Sequence, residues 1–244
     1  MIPIGDDNSD RILTPVVNYL LLAANIAVFV LLQGMGANDR FTYAYATVPK
    51  EIVTGRDVVT PPQRIEDPVS GQSFVQPGLR PTPNPVYLTL LVSMFMHGGL
   101  AHLLGNMLYL WVFGDNLENA LGHLRYLVFY LLCGLLASLA HVFTTAATGG
   151  NMLVPALGAS GAISGVLGGY MVLYPRRRVR ALIGRGVADM PAGFSIGLWF
   201  LFQVVSGMGV LGGGAQAGGV AYAAHVGGFV AGLVLIKIFA SGRR

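Results

Sequence analysis

A serine and a histidine occupy places in this chain where a polar side chain is expensive. Ser160 lies in Gly158-Ala159-Ser160-Gly161 and His225 in Ala224-His225-Val226-Gly227-Gly228, each inside an otherwise apolar run. Polar groups within apolar spans are functional candidates by default. A serine hydroxyl becomes a nucleophile when an adjacent base takes its proton, and imidazole suits that task near neutral pH. The chemistry such a pair supports is attack on a carbonyl. The rest of the chain must then bring the two side chains together.

The setting is a membrane. The 244 residues are 54% hydrophobic and only 11% charged, and the apolar residues come in long runs instead of amphipathic stripes. That pattern reads as an all-α polytopic membrane protein, one helical bundle over residues 1–244, with the lipid bilayer as its solvent. The net charge of +4 does not point to nucleic acid, because the arginines concentrate in one short loop between apolar runs, where they act as an orientation signal. Cys133 is the only cysteine, which excludes an intrachain disulfide.

Six membrane spans are expected, over 16–32, 100–114, 124–147, 160–174, 194–205 and 221–239. Residues 34–99 form a long, proline-rich first loop that ends in a short apolar piece, 88–96, of re-entrant or interfacial character; residues 100–240 hold the catalytic core. Met1 to Arg11 contains Asp6, Asp7 and Asp10, the opposite of a basic leader, and is not read as a signal peptide. Ser160 to Tyr174 reaches only roughly 22 Å against a hydrocarbon core of roughly 30 Å, so its start is expected to sit below the membrane surface. Arg176, Arg177, Arg178, Arg180 and Arg185 place their loop in the cytoplasm by the positive-inside rule, and both termini with it. A loop with seven glycines between Gly207 and Gly219 separates the last two spans.

With this topology Ser160, His225 and His102 converge in the outer half of the bilayer. Gly161, Gly165 and Gly169 recur every four residues, as do Gly228 and Gly232, and glycine seams allow helix backbones to approach closely. A crossing of spans four and six along these seams is expected to put Ser160 within hydrogen-bond reach of His225. His102 and Asn106, at i and i+4, share a helical face and read as an oxyanion stabiliser together with the first N–H groups of span four; the plainer alternative is interhelical hydrogen-bond glue. All eleven acidic residues fall outside the expected spans, which argues against an aspartyl dyad and against an acidic third member. There is no His-Glu-x-x-His, and the spacing of His97, His102 and His225 does not recommend a metal. Neither metal nor cofactor is expected.

The Gly158-Ala-Ser160-Gly161 and Ala224-His225-x-Gly-Gly motifs, the stretch from His97 through His102 to Asn106, and six spans in this order resemble a rhomboid intramembrane serine protease of bacterial type. The resemblance covers span two to span six. It implies a Ser160–His225 dyad, His102 and Asn106 at the oxyanion site, a water-filled cavity opening outward, single-span membrane proteins as substrates, and residence in a bacterial cytoplasmic membrane. It also implies a gate on span five, where Trp199 reads either as the plug, with Gln203 one turn further along the same face and Gly105 opposite, or as a tryptophan that merely faces lipid. The chain departs from many relatives in lacking a Trp-Arg pair in the first loop, and it has Ser164 where some carry a tyrosine one turn after the nucleophile. The competing class is a non-catalytic membrane-protein binder or chaperone that kept the fold; a transporter is disfavoured by the absence of charge in the expected spans.

Overall fold

The computed structural model describes residues 1–66, 73–83, 85–208 and 221–241. In chain order the elements are β1 (Ile2–Asp6), α1 (Val16–Ala27, continued by a π turn over Val28–Leu32), α2 (Asp39–Tyr45), α3 (Pro49–Thr54), β2 (Gln63–Glu66), β3 (Ser73–Gln76), α4 (Thr89–Val92), α5 (Leu100–Leu121), α6 (His123–Ala147), α7 (Ser160–Leu173), β4 (Arg178–Ile183), β5 (Gly186–Pro191), α8 (Ala192–Gly207) and α9 (Tyr222–Phe239). A helix covers each of the six apolar runs. Two of them, α6 and α9, are long and apolar enough to cross a membrane unaided, and the bent pair Val86–Phe95 with α5, at 77°, supplies a third candidate. The helices over Val16–Leu32, Ser160–Leu173 and Ala192–Gly207 are apolar but shorter. The glycine-rich loop lies, apart from its first residues, outside the described residues.

Two findings correct the sequence reading. The fold is not purely α, because β1, β4 and β5 form a three-stranded antiparallel sheet in the order β1-β4-β5, and β2 pairs with β3. The arginine loop is itself a hairpin. Its arginines at 178 and 180 alternate with Val179 and Ala181, both fully buried, which is the period-two pattern of a strand with one face covered. Gly184, at φ +58°, supplies the left-handed residue of the tight turn.

The second correction concerns α5, which does not stop at Gly114 but runs on to Leu121, taking Asp115 and Glu118 into the helix. Burial of these carboxylates is tolerated because each is paired. Arg11 donates to Asp115 at 2.8 Å. Glu118, fully buried, accepts from the backbone N–H groups of Val17 and Asn18 at 2.9 and 2.7 Å and also meets His123. Pro15 gives α1 no side-chain cap, so Glu118 satisfies donors that the helix cannot satisfy itself. Asn18 continues the link by donating to the Leu110 carbonyl and accepting from the Tyr126 hydroxyl.

The centre of the bundle is the crossing of α7 with α9, backed by α6. A Cβ at Gly228 would stand 2.1 Å from the Gly161 carbonyl oxygen, one at Gly232 2.0 Å from that of Gly165, and one at Gly168 2.3 Å from that of Phe229. The two backbones therefore touch directly. On the other side of α7, Gly165 meets Cys133 and Gly161 meets Ala137, both on α6. The expected seam is present, with Gly168 as an additional member.

One end of the bundle gathers β1, the arginine hairpin, the α5–α6 turn and the end of α9, where Arg125 donates to the carbonyls of Phe239 and Ser241. Asp6 ties β1 in. Its carboxylate accepts from the Tyr170 hydroxyl and from Asn116, while Arg177 donates to Asn116, Asp10 and the Asp7 carbonyl. Burial raises the Asp6 pKa from 3.8 to about 6, with repulsion from Asp115 adding to it and the Tyr170, Asn116 and Arg177 contacts opposing it. The folded strand thus holds a proton that the free strand releases, so this group's contribution to docking is full below about pH 4 and is lost as pH rises through 6. Amide protection of Ile2–Asp6, corrected for intrinsic exchange, is expected to be greater at pH 5 than at pH 7.5, and Asp6→Asn is expected to flatten that difference.

The first loop reaches back to the nucleophile segment. Thr47 and Ala156 form a two-bond bridge at 2.9 and 2.8 Å, and the Thr47 hydroxyl bonds Ser93 at 2.8 Å. Two residues beyond Ala156, the Gly158 N–H donates to the Ser93 carbonyl at 2.9 Å.

Candidate active site

Ser160 opens α7, and the two residues before it set its position. Gly158 has φ +127°, in the region that favours glycine, and a Cβ there would meet the His102 ring at 2.9 Å from Cε1 and 3.0 Å from Nε2. The same point lies 3.6 Å from Ser160 Oγ, so the His102 imidazole and the serine hydroxyl flank one bare glycine. Ser160 is half-buried, and its hydroxyl makes no hydrogen bond among the described residues. As at any helix start, the first N–H groups of α7 have no partner within the helix.

His225 sits one turn into α9. The glycine seam controls its approach, since a Cβ on Gly161 would lie 3.9 Å from the Ala224 carbonyl oxygen. The residue after the serine thus faces the residue before the histidine. The expected Ser160–His225 hydrogen bond is not formed. Instead His225 Nδ1 donates to Gln203 Oε1 at 2.7 Å, Gln203 being a buried side chain of α8. Trp199, one turn earlier on α8, places its ring 6.0 Å from the His225 ring and 6.4 Å from both Phe229 and Tyr109. Trp199 accordingly bridges α5 and α9. Its partner on α5 is Tyr109, while Gly105 is exposed with open space around it, so the expected pairing of Trp199 with Gly105 is replaced by contact one turn further along α5.

On α5, His102 accepts from the Gly98 N–H at 3.4 Å and meets the His97 ring edge-on at 5.1 Å. Asn106 is 8% exposed, and its buried amide nitrogen has no hydrogen-bond partner among the described residues. A buried orphan donor calls for an explanation, and a transient acceptor is one. Gln33 braces this region by donating to the His97 carbonyl at 3.0 Å and accepting from its N–H at 2.8 Å.

A small cavity of about 30 Å³ adjoins the serine, lined by Thr47, Ser93, Ser138, His141, Gly158 and Ser160 among others. His141 and Gln203 are the site residues that were not assigned to it from sequence. Each is a polar residue within a mainly apolar helix, which is the signal that singled out Ser160 and His225. No group of three His, Cys, Asp or Glu side chains is placed to hold a metal ion among the described residues.

Residues 84–242 match the Rhomboid domain family. The chain belongs to the rhomboid family. It is 28% identical over 88% of its length to "Rhomboid protein 1, mitochondrial" of Saccharomyces cerevisiae, covering 51% of that protein. It is 35% identical over 40% of its length to "Presenilin-associated rhomboid-like protein, mitochondrial" of Homo sapiens, covering 26%, and 34% identical over 51% to "Rhomboid protease GluP" of Bacillus subtilis, covering 23%. The chain thus spans about half the length of the yeast rhomboid and about a quarter of the other two. Because mitochondrial and bacterial rhomboids both appear among these relatives, membership does not carry the bacterial type or the bacterial membrane expected from sequence.

Proposed function

We propose that this rhomboid is an intramembrane serine endopeptidase cleaving single-span membrane proteins, with Ser160 as nucleophile and His225 as base. The observation that carries the reading is the α7–α9 seam, which sets Gly161 against Ala224 and so brings the two chemical residues to one crossing. In the proposed reaction His225 Nε2 takes the Ser160 proton as Oγ bonds to the peptide carbonyl carbon. The C–N bond then breaks, the proton passes to the leaving amine, and water attacks the acyl-serine to release the acid. Oyxanion charge falls to the Asn106 amide, His102 and the first N–H groups of α7; the orphaned Asn106 donor supports this, since its acceptor exists only during the reaction. The absence of a Ser160–His225 hydrogen bond is compatible with catalysis, because catalytic hydrogen bonds often tighten only around substrate.

Six crossings complete the proposal, with the arginine hairpin and both termini on the cytoplasmic face of a cell or organelle membrane, and with Trp199 closing the α5–α8 side against entry of a substrate helix. The absent serine–histidine bond is the observation that favours the second reading, a rhomboid-like binder without catalysis. Reaction of the purified protein with a labelled fluorophosphonate separates the two: the protease reading expects labelling at Ser160, and no labelling under conditions where the protein is folded would favour the binder. His102→Ala and Asn106→Ala are each expected to slow cleavage of a transmembrane substrate by about 10²–10³ in kcat while Ser160 still labels. Wild-type rates in both would make them structural.

A further inference from the structure

Of the polar side chains on α8, Ser195 meets Met1, Ser206 has no partner among the described residues, and Gln203 alone is bonded to His225. The atom facing the ring is the amide oxygen, which can only accept. Nδ1 must therefore carry the hydrogen, and in a neutral imidazole Nε2 is then left with a bare lone pair. That is the form a base acting on Ser160 requires. The titratable groups facing His225 are His102 from α5 and His141 from α6, with the Tyr222 ring 6.5 Å away on its own helix; no carboxylate is among them within the described residues. The ring thus lacks an acidic orienting partner, and its Nδ1 side is taken by an uncharged one that is itself almost wholly shielded. An amide does this in an apolar helix without the desolvation cost of a buried charge.

We infer that Gln203 is the positioning residue of this protease, holding His225 in the Nδ1–H form and fixing its ring so that Nε2 is available to Ser160. The inference rests on the Ser160–His225 reading and assigns Gln203 no contact with substrate. Because Gln203 rides on α8 with Trp199, the base is oriented by the same helix that closes the side of the bundle.

The test uses the full chain in liposomes, a transmembrane substrate and a fluorophosphonate probe. Gln203→Leu removes the acceptor while suiting an apolar helix. It is expected to lower kcat and the labelling rate of Ser160 together by about ten- to a hundredfold, part of the roughly 10²–10⁴ that general-base catalysis supplies, with KM unchanged. Gln203→Glu keeps an acceptor. It is expected to work well at high pH but to move the rising limb of rate against pH upward, because a carboxylate beside the ring favours imidazolium, whose Nε2 has no lone pair. A purely structural glutamine would move neither labelling rate per folded molecule nor the pH profile. Wild-type labelling by Gln203→Leu, faster labelling by it, or an unshifted profile in Gln203→Glu would each overturn the inference. Ser160→Ala and His225→Ala run alongside: if these still cleave, the dyad reading has failed; if they are dead and the Gln203 variants match wild type, only the role of Gln203 has failed.

Discussion

Ser160→Ala is expected to abolish cleavage of a transmembrane substrate, with a loss on the order of 10⁴–10⁶ in kcat, while leaving the fold as stable as before to within about 0.5 kcal/mol. Both halves follow from the same environment. The hydroxyl is half-buried and bonded to nothing among the described residues, so its removal strands no partner there and opens no sizeable cavity. Nor is a substitute nucleophile at hand. Ser164 lies one turn further along α7, but it is fully buried and spends its hydroxyl on the Ser160 carbonyl at 2.6 Å. His225→Ala is expected to be equally inactive but less stable, since it also strands Gln203 and removes a ring from beside Trp199. Cleavage of a fluorogenic transmembrane substrate, with thermal unfolding as the control, checks both; turnover by Ser160→Ala above the uncatalysed background would end the serine mechanism.

The second large effect is structural. Gly232→Ala is expected to destabilise the bundle by about 3 kcal/mol or more and to cost activity with it. The new methyl group would sit 2.0 Å from the Gly165 carbonyl oxygen, 2.7 Å from its carbon and 2.8 Å from its Cα. All three are backbone atoms of α7, so no side chain can swing away and the helices must separate. Separation moves Ser160 relative to His225, because both are carried by this crossing. Gly105→Ala provides the contrast. It has the same chemistry at an exposed helical glycine with nothing within 4 Å of the added carbon, and it is expected to be neutral or slightly stabilising through helix propensity. Equal melting temperatures for the two variants would show that the seam is not close-packed.

How much of this could be read from the chain alone depends on which signal each part left in it. Long apolar runs marked all six helices, with the end of α5 misplaced, and glycine spacing marked the seam, because both are local patterns with a direct structural meaning. The end of α5 was hidden by its own charges: Asp115 and Glu118 read as a stop until their partners, Arg11 and the N–H groups of Val17 and Asn18, were seen a hundred residues away. The arginine hairpin was hidden in a similar way. Val179 and Ala181 alternate as a strand should, but a cluster of five arginines between apolar runs first suggests a loop. At the site, Ser160, His225, His102 and Asn106 were visible as polar residues in apolar or glycine-rich surroundings. Gln203 was visible by the same rule but had no assigned partner, since the hydrogen bond to His225 depends on how α8 rotates against α9.

The capping of α1 by Glu118 bears on biogenesis. During synthesis Val17 and Asn18 leave the ribosome long before the carboxylate that completes their helix, and Asn18 also waits for the Leu110 carbonyl and the Tyr126 hydroxyl. The start of α1 is therefore not locked into the bundle until synthesis has passed Tyr126, more than a hundred residues later.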